Sequence, residues 1–262
     1  EAKESFEKAL ALNPQSPETW NNLGTLDESV GDSEKALECY QKAIQYHPQF
    51  SVAWNNRGAL LQGQGKLDES LTCFQHILQF NPSYAKAYYN IGRIFHIKGE
   101  HSVALEYYQK ALELQPNYPD AYFNLATLHL IQGEFEKGFS YYEWRWQQAL
   151  LPPREFKQPL WDGSTLMDDI LLLYAEQGFG DTLQFIRYIP LVQKKVKNVV
   201  IECQAALVPL FKLQPHLKDI IYARGDDLPH FDFRLPLLSL PLILKTFSVV
   251  DIPSHTPYLI AP

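Results

Sequence analysis

Residues 17–50 read PETWNNLGTLDESVGDSEKALECYQKAIQYHPQF, and residues 51–84 read SVAWNNRGALLQGQGKLDESLTCFQHILQFNPSY. Laid over one another, they share a tryptophan, an asparagine pair, two glycines, an aromatic residue and a proline at one constant offset. The offset persists in both directions: Pro14, Pro48, Pro82 and Pro116 lie 34 residues apart, as do Gly31, Gly65, Gly99 and Gly133. Two aromatic series keep the same interval, Trp20, Trp54, Tyr88 and Tyr122, and Phe6, Tyr40, Phe74, Tyr108 and Tyr142. Independent series with one period define a structural repeat. Each unit reads as two amphipathic helices, with a glycine near the end of the first to permit the turn and a proline where the second stops. The aromatics fill the seams between helices.

This pattern closely resembles the tetratricopeptide repeat, over more than half of the chain. The resemblance implies a helical solenoid, an α-α superhelix that holds a partner protein or peptide in its concave groove. Gly24, Gly58 and Gly92 take the place of the small residues that let paired helices approach, with Ala36, Ala104, Ala43 and Ala111 as the small residues opposite. The first unit is a second helix alone, Glu1 to Leu12, so the array is expected to continue upstream. The last unit has Gly138 and Arg145 where alanines stood before, then runs into Tyr141-Tyr142-Glu143-Trp144-Arg145-Trp146. This helix is expected to cap the array and dock onto the next domain through its tryptophans. The alternative is a sugar-stacking platform of Trp144 and Trp146.

Composition narrows the function. With 262 residues, 46% hydrophobic and 13% aromatic, the chain has apolar material for two domains. A formal charge of -7 argues against a phosphate-neutralising protein, so nucleic acid is not the expected partner. Cys39, Cys73 and Cys203 form no CxxC motif and are odd in number, which fits reduced packing thiols and a cytoplasmic setting. No apolar run is long enough to span a membrane. No His, Cys or Asp spacing suits a metal, and the adjacent pairs Asp168-Asp169 and Asp226-Asp227 read as solvated turns. The acidity lies mainly in the repeats, much of it as ordinary solvated helix face.

Asn22, Asn56, Asn90 and Asn124 form a further series at the repeat interval. Two residues beyond the first-helix aromatic, they are expected to face away from the apolar seam, toward the concave side. An amide has both a donor and an acceptor, so a ladder of them can pair with the backbone of an extended peptide without reading its side chains. The series resembles the asparagine ladder of the O-linked N-acetylglucosamine transferase superhelix, which implies the same peptide-holding role. The alternative is a local helix-packing residue, and the residues alone do not choose between them. The neighbouring positions Thr25, Ala59, Arg93 and Thr127 are mixed and form no uniform carboxylate clamp.

The texture changes after Pro152-Pro153. Glu155 to Thr165 is turn-rich with an anchoring Trp161, and beyond it short apolar runs alternate with helical stretches. Strands are expected at 170–174, 198–202 and 219–222, with a fourth at 231–234, and helices at about 182–195 and 205–213. That alternation implies a parallel sheet of Rossmann-like type whose ligands lie at the carboxyl ends of the strands. Glu176-Gln177-Gly178-Phe179-Gly180-Asp181-Thr182 sits at that edge. Its glycines allow close backbone approach to a ligand, but Leu183 stands where a dinucleotide fingerprint needs a third glycine, and no Walker lysine is present. Asp181 with Gln184 also reads as a capping box, which needs no further function.

The stretch LLLYAEQGFGDTLQFIRYIP (171–190), with Pro236-Leu237-Leu238-Ser239-Leu240-Pro241, resembles repeat-fused bacterial proteins related to the heptosyltransferases. Their fold is two facing Rossmann-like halves, termed GT-B. The resemblance implies that Gly180 and Asp181 match a Gly-Asp pair whose carboxylate acts as general base on an acceptor hydroxyl, with Glu176 orienting it and Gly178, Gly180 and Thr182 forming a substrate loop. The proline after the pair lies further along than in typical heptosyltransferases. Arg187 reads as solvated or salt-bridged. The resemblance also implies a nucleotide-sugar donor bound by a second half that does not lie within these residues, so this stretch alone is expected to be inactive and to need no other cofactor. The domain reading is 1–152 array, 153–166 linker and 167–262 a truncated Rossmann-like domain. The rival reading is a non-catalytic interaction scaffold with a degenerate appendage.

Overall fold

The computed structural model describes residues 2–148, 154–176, 178–254 and 258–260. It divides into two compact units, Glu1–Leu125 and Ala126–Pro262.

The first unit is built from helical hairpins. After α1 (Ala2–Leu12) come α2 (Pro17–Ser29) and α3 (Ser33–Tyr46), α4 (Ser51–Gly63) and α5 (Leu67–Phe80), and α6 (Ala85–Ile97) and α7 (His101–Leu114). The helix α8 (Pro119–Ile131) runs across the boundary between units. Gly31, Gly65 and Gly99 have φ of +85°, +77° and +77°, the left-handed conformation that ends the first helix of each pair. A Cβ on Gly24, Gly58 or Gly92 would come within 2.7–2.8 Å of the ring of Tyr40, Phe74 or Tyr108, so each glycine is required by the aromatic packed on it. Trp20 and Trp54 each donate their indole N–H to a proline carbonyl of the preceding turn, Pro14 and Pro48, at 2.8 Å. Tryptophan and proline thus form one joint at the foot of each of these two hairpins.

The second unit contains the end of α8, then α9 (Phe135–Tyr142), a 3-10 turn (Glu143–Gln147) and a sheet. Its strands are β1 (Leu166–Tyr174), β2 (Val196–Cys203), β3 (Ile221–Ala223) and β4 (Phe233–Pro236), all parallel, in the order β3-β2-β1-β4. The expected third strand starts two residues late, because Asp219 belongs to the preceding turn. The residues 182–195, expected as one helix, are three short pieces: α10 (Phe179–Phe185), a 3-10 turn (Ile186–Tyr188) and α11 (Ile189–Val192). Pro190 lies in the first turn of α11, where a missing N–H costs nothing, and it stops one continuous helix from forming. Two further short helices are α12 (Val208–Lys212) and α13 (Leu240–Ile243).

Alternation along the strands gives the sheet two different faces. Leu171, Leu173, Val199, Ile201 and Leu235 pack against α11, α12 and the turns beside them, forming the main core. Leu172, Tyr174 and Val200 point the other way and are covered by Phe156, Leu228 and Phe231. The β3–β4 connection, residues 224–232, supplies two of these three covering residues and contains no helix. The stretch read as a linker is partly built into the sheet: Trp161 donates its N–H to the Arg234 carbonyl at 2.9 Å, and Arg234 returns a bond to Pro159 at 3.0 Å. Trp161 is fully buried, with its indole N–H on the Ser164 carbonyl. Pro152 and Pro153 lie outside the described residues.

The middle repeat has an uncompensated buried group. In its neighbours the Tyr40 hydroxyl donates to Glu28 at 2.6 Å, and the Tyr108 hydroxyl lies 3.5 Å from His96 Nδ1. In the middle repeat Phe74 has no hydroxyl, and both polar atoms of the buried Gln62, at the position of Glu28 and His96, have no partner among the described residues. Phe74→Tyr restores the missing partner and is expected to raise stability by about 0.5–1.5 kcal/mol in urea unfolding. A stability equal to or below that of the parent would show that the orphaned amide is not the cause.

Candidate functional site

The asparagine series does not sit as the sequence suggested. Asn56 donates its amide to Asn21 Oδ1 at 3.0 Å, Asn90 donates to Asn55 Oδ1 at 3.0 Å, and Asn124 donates to the Tyr89 hydroxyl at 3.2 Å. Each bond reaches back 35 residues to the preceding repeat, from one first helix to the one before it. Asn90 is 3% exposed. The amide donors of these three residues therefore tie first helices together, and only Asn22, at the near end of the series, is exposed. Sequence reasoning missed Asn21 and Asn55, the acceptors one residue earlier. The repeated Asn-Asn pair was the available signal, since a ladder that bonds to itself needs two polar positions per rung.

The second assembly lies at the carboxyl ends of β1 and β4. In the last repeat the close approach survives by a change of helix: a Cβ on Gly138 in α9 would sit 2.7 Å from Leu130 Cδ2 of α8. The 3-10 turn that follows turns Arg145, where the earlier repeats have Ala9, Ala43, Ile77 and Ala111, onto the edge of the sheet. Arg145 is 1% exposed. Its Nε and Nη2 make a two-pronged contact with Glu176 at 2.8 and 2.7 Å, Nη2 also reaches the Ser239 hydroxyl at 2.9 Å, and Nη1 reaches Glu143 at 2.7 Å. Ser239 closes the ring by donating to the same Glu143 oxygen at 2.8 Å. The guanidinium lies 4.8 Å from the Tyr142 ring and 4.5 Å from the Trp146 ring. Burial works against its charge, yet the hydrogen bonds and charges of Glu176 and Glu143 hold its pKa above the ordinary arginine value. Trp144 and Trp146, expected as the docking residues, are half-buried, and the arginine between them makes the buried contact.

Glu176, expected to orient Asp181, is instead the partner of Arg145. Its main-chain carbonyl and that of Ala175 also accept from Arg224 Nη2, at 2.9 and 2.5 Å, so two arginines hold the start of the loop. Gln177 lies outside the described residues. Gly178 is the N-cap of α10, and Asp181 is the third residue of its first turn, so the expected capping box with Gln184 does not form. Asp181 is half-buried and has no side-chain partner among the described residues. Thr182 is buried, its hydroxyl 3.1 Å from the Gly178 carbonyl and 2.9 Å from Gln204 Oε1 at the end of β2. A Cβ on Gly180, in the first turn of α10, would meet nothing within 4 Å, so this turn is open on that side. Beside this network a cavity of about 280 Å³ is lined by Glu143, Trp146, Trp161, Tyr174, Arg234 and Ser239, among others. Sequence reasoning missed Arg145, Ser239 and Arg224. The arginine's signal was present, as a charge at a repeat position otherwise held by apolar residues.

Residues 17–50, 49–117 and 107–138 match the tetratricopeptide repeat family, so the chain carries tetratricopeptide repeats. Among solved structures, it is similar to pilF of Pseudomonas aeruginosa, 24% identical, covering 54% of this chain and 65% of that one with a TM-score of 0.51. It is likewise similar to PilW, a type IV pilus biogenesis factor, at 24% identity, 57% and 70% coverage and a TM-score of 0.50. MamA is 23% identical over 55% of this chain and 85% of that chain, with a TM-score of 0.48. The likeness to pilF and PilW is one of fold alone. No curated protein matches the chain. Among the described residues no helix is long and apolar enough to cross a membrane.

The buried pair has a measurable consequence. Arg145→Met leaves the Glu176 carboxylate, whose side chain is 7% exposed, without its cation and is expected to cost about 3–5 kcal/mol in denaturant unfolding. Adding Glu176→Leu should recover much of that loss. A single-variant cost below about 1 kcal/mol, as for an exposed pair, would contradict the geometry.

Proposed function

We propose that the repeats hold an extended segment of a partner protein along their first-helix face. The observation that supports this reading is the chain of inter-repeat amide bonds from Asn56, Asn90 and Asn124, which fixes the spacing of successive first helices before any ligand arrives. A surface already ordered loses little conformational freedom on binding. Direct contact then falls to the exposed groups on those helices, Asn22 with its amide available, Thr25 and Arg93. Asn22→Ala is expected to weaken a partner segment, measured by calorimetry, with little change in melting. Asn90→Ala should instead lower stability by about 1–3 kcal/mol, because Asn55 Oδ1 is left without its donor. Equal behaviour of the two variants in both measurements would refute this division of roles.

The second unit supports a further reading, a half of a glycosyltransferase-like protein. The parallel order β3-β2-β1-β4 puts a reversal of direction between β1 and β4, and in open parallel sheets ligands favour the carboxyl side of such a point. Asp181, in the first turn of α10 at that edge and without a side-chain partner among the described residues, suits a base that takes a proton from an acceptor hydroxyl, with Gly178, Gly180 and Thr182 beside it. The nucleotide-sugar would be held by a second half. In a protein carrying both halves, Asp181→Asn should lower transfer by about two to four powers of ten with unchanged melting. Full activity of that variant would remove the catalytic role and leave the interaction scaffold.

A further inference from the structure

On the helical side of the sheet, away from the carboxyl edge, a second cavity of about 280 Å³ opens between α11 and the turn after α12. Its walls are largely aliphatic: Ile186, Pro190, Leu191, Leu217, Pro253 and Leu259. Arg187 also lines it. Its guanidinium lies 4.3 Å from the Tyr258 ring, but it makes no hydrogen bond or ion pair among the described residues, and its Nε is buried without a partner. Of the two sequence readings of Arg187, solvated or salt-bridged, the ion pair is not formed among the described residues, and the side chain is half-exposed. His216 lines the same cavity, and burial holds its pKa below the ordinary histidine value. Arg187 is the permanent positive charge of the chamber.

A buried donor left without an acceptor is costly, and a guanidinium fork matches a carboxylate in shape and charge. Aliphatic walls reward an apolar tail in proportion to the area it covers. The volume lies just below the range of drug-sized pockets, which limits the guest to a small molecule. A free phosphate would satisfy the arginine but would gain nothing from the walls, whereas an alcohol with the same tail would gain the walls without the charge. We propose that this cavity binds a small amphiphilic carboxylate, its head on Arg187 and its tail among Leu191, Leu217 and Leu259. The site is independent of the repeats and of Asp181.

Octanoate is the probe, with octan-1-ol, acetate and inorganic phosphate as comparisons, titrated calorimetrically into the whole chain. Octanoate is expected to bind saturably, at least about ten-fold tighter than each comparison, as a charge-assisted hydrogen bond predicts. Arg187→Gln should weaken octanoate by about the same factor and erase its advantage over octan-1-ol, while Arg187→Lys should keep part of that advantage. If Arg187→Gln also lowers melting, Leu191→Trp supplies the second arm: it fills the chamber with the arginine intact and should abolish binding. Equal affinity for octanoate and octan-1-ol, no saturable binding, or unchanged binding by both Arg187→Gln and Leu191→Trp would overturn the proposal.

Discussion

A guanidinium taken out of water must be met on every side, and in this protein that requirement organises the second unit. Arg145 is tied to Glu176 at the end of β1, to Ser239 after β4 and to Glu143 on its own turn. No one of these contacts makes a buried arginine tolerable, because the loss of hydration exceeds any single hydrogen bond. Together they oblige the 3-10 turn, the end of β1 and the segment after β4 to keep fixed positions. The same constraint explains why α9 stops at Tyr142. A continued helix would keep the next-repeat geometry, in which this position holds an alanine such as Ala43 or Ala111, both fully buried.

The loop after β1 inherits that order. Arg145 holds the Glu176 side chain and Arg224 its backbone, while Thr182 and Gln204 fix the start of α10. Beside these anchors Phe179 and Gly180, in the first turn of α10, are exposed, so an accessible turn lies next to a hydrogen-bonded base. Loops of this kind suit recognition or chemistry because little ordering is left for the ligand to impose. In the repeats, amide bonds between first helices have a similar effect, and both surfaces are prepared by polar contacts that the apolar core alone would not specify.

How much of this was legible in the sequence follows from which forces leave a periodic trace. The repeat was legible because every hairpin has to solve the same steric problem, a glycine beneath a ring at Gly24, Gly58 and Gly92. The strands were legible as apolar runs, with errors of a few residues at their ends. What was not legible depended on partners distant in sequence. Glu176 meets Arg145 across 31 residues and Ser239 meets it across 94, and no local pattern encodes either meeting. The asparagine series is the opposite case, a periodic trace that left two readings open. Its period was read correctly, but a residue that repeats can serve the neighbouring repeat as readily as a ligand, and the buried Asn90 serves the former. Gln62 escaped notice because its oddity lies in Phe74, which lacks one hydroxyl.

The terminal helical turn of the repeats is a structural part of the sheet unit. Native-state hydrogen exchange tests it directly, because residues that open together share one free energy of opening. Amides of 138–147 and those of β1 from 170 to 175 should exchange with the same protection and lose it at the same denaturant concentration. Exchange of 138–147 well ahead of β1, as in a fraying terminal repeat, would contradict the account.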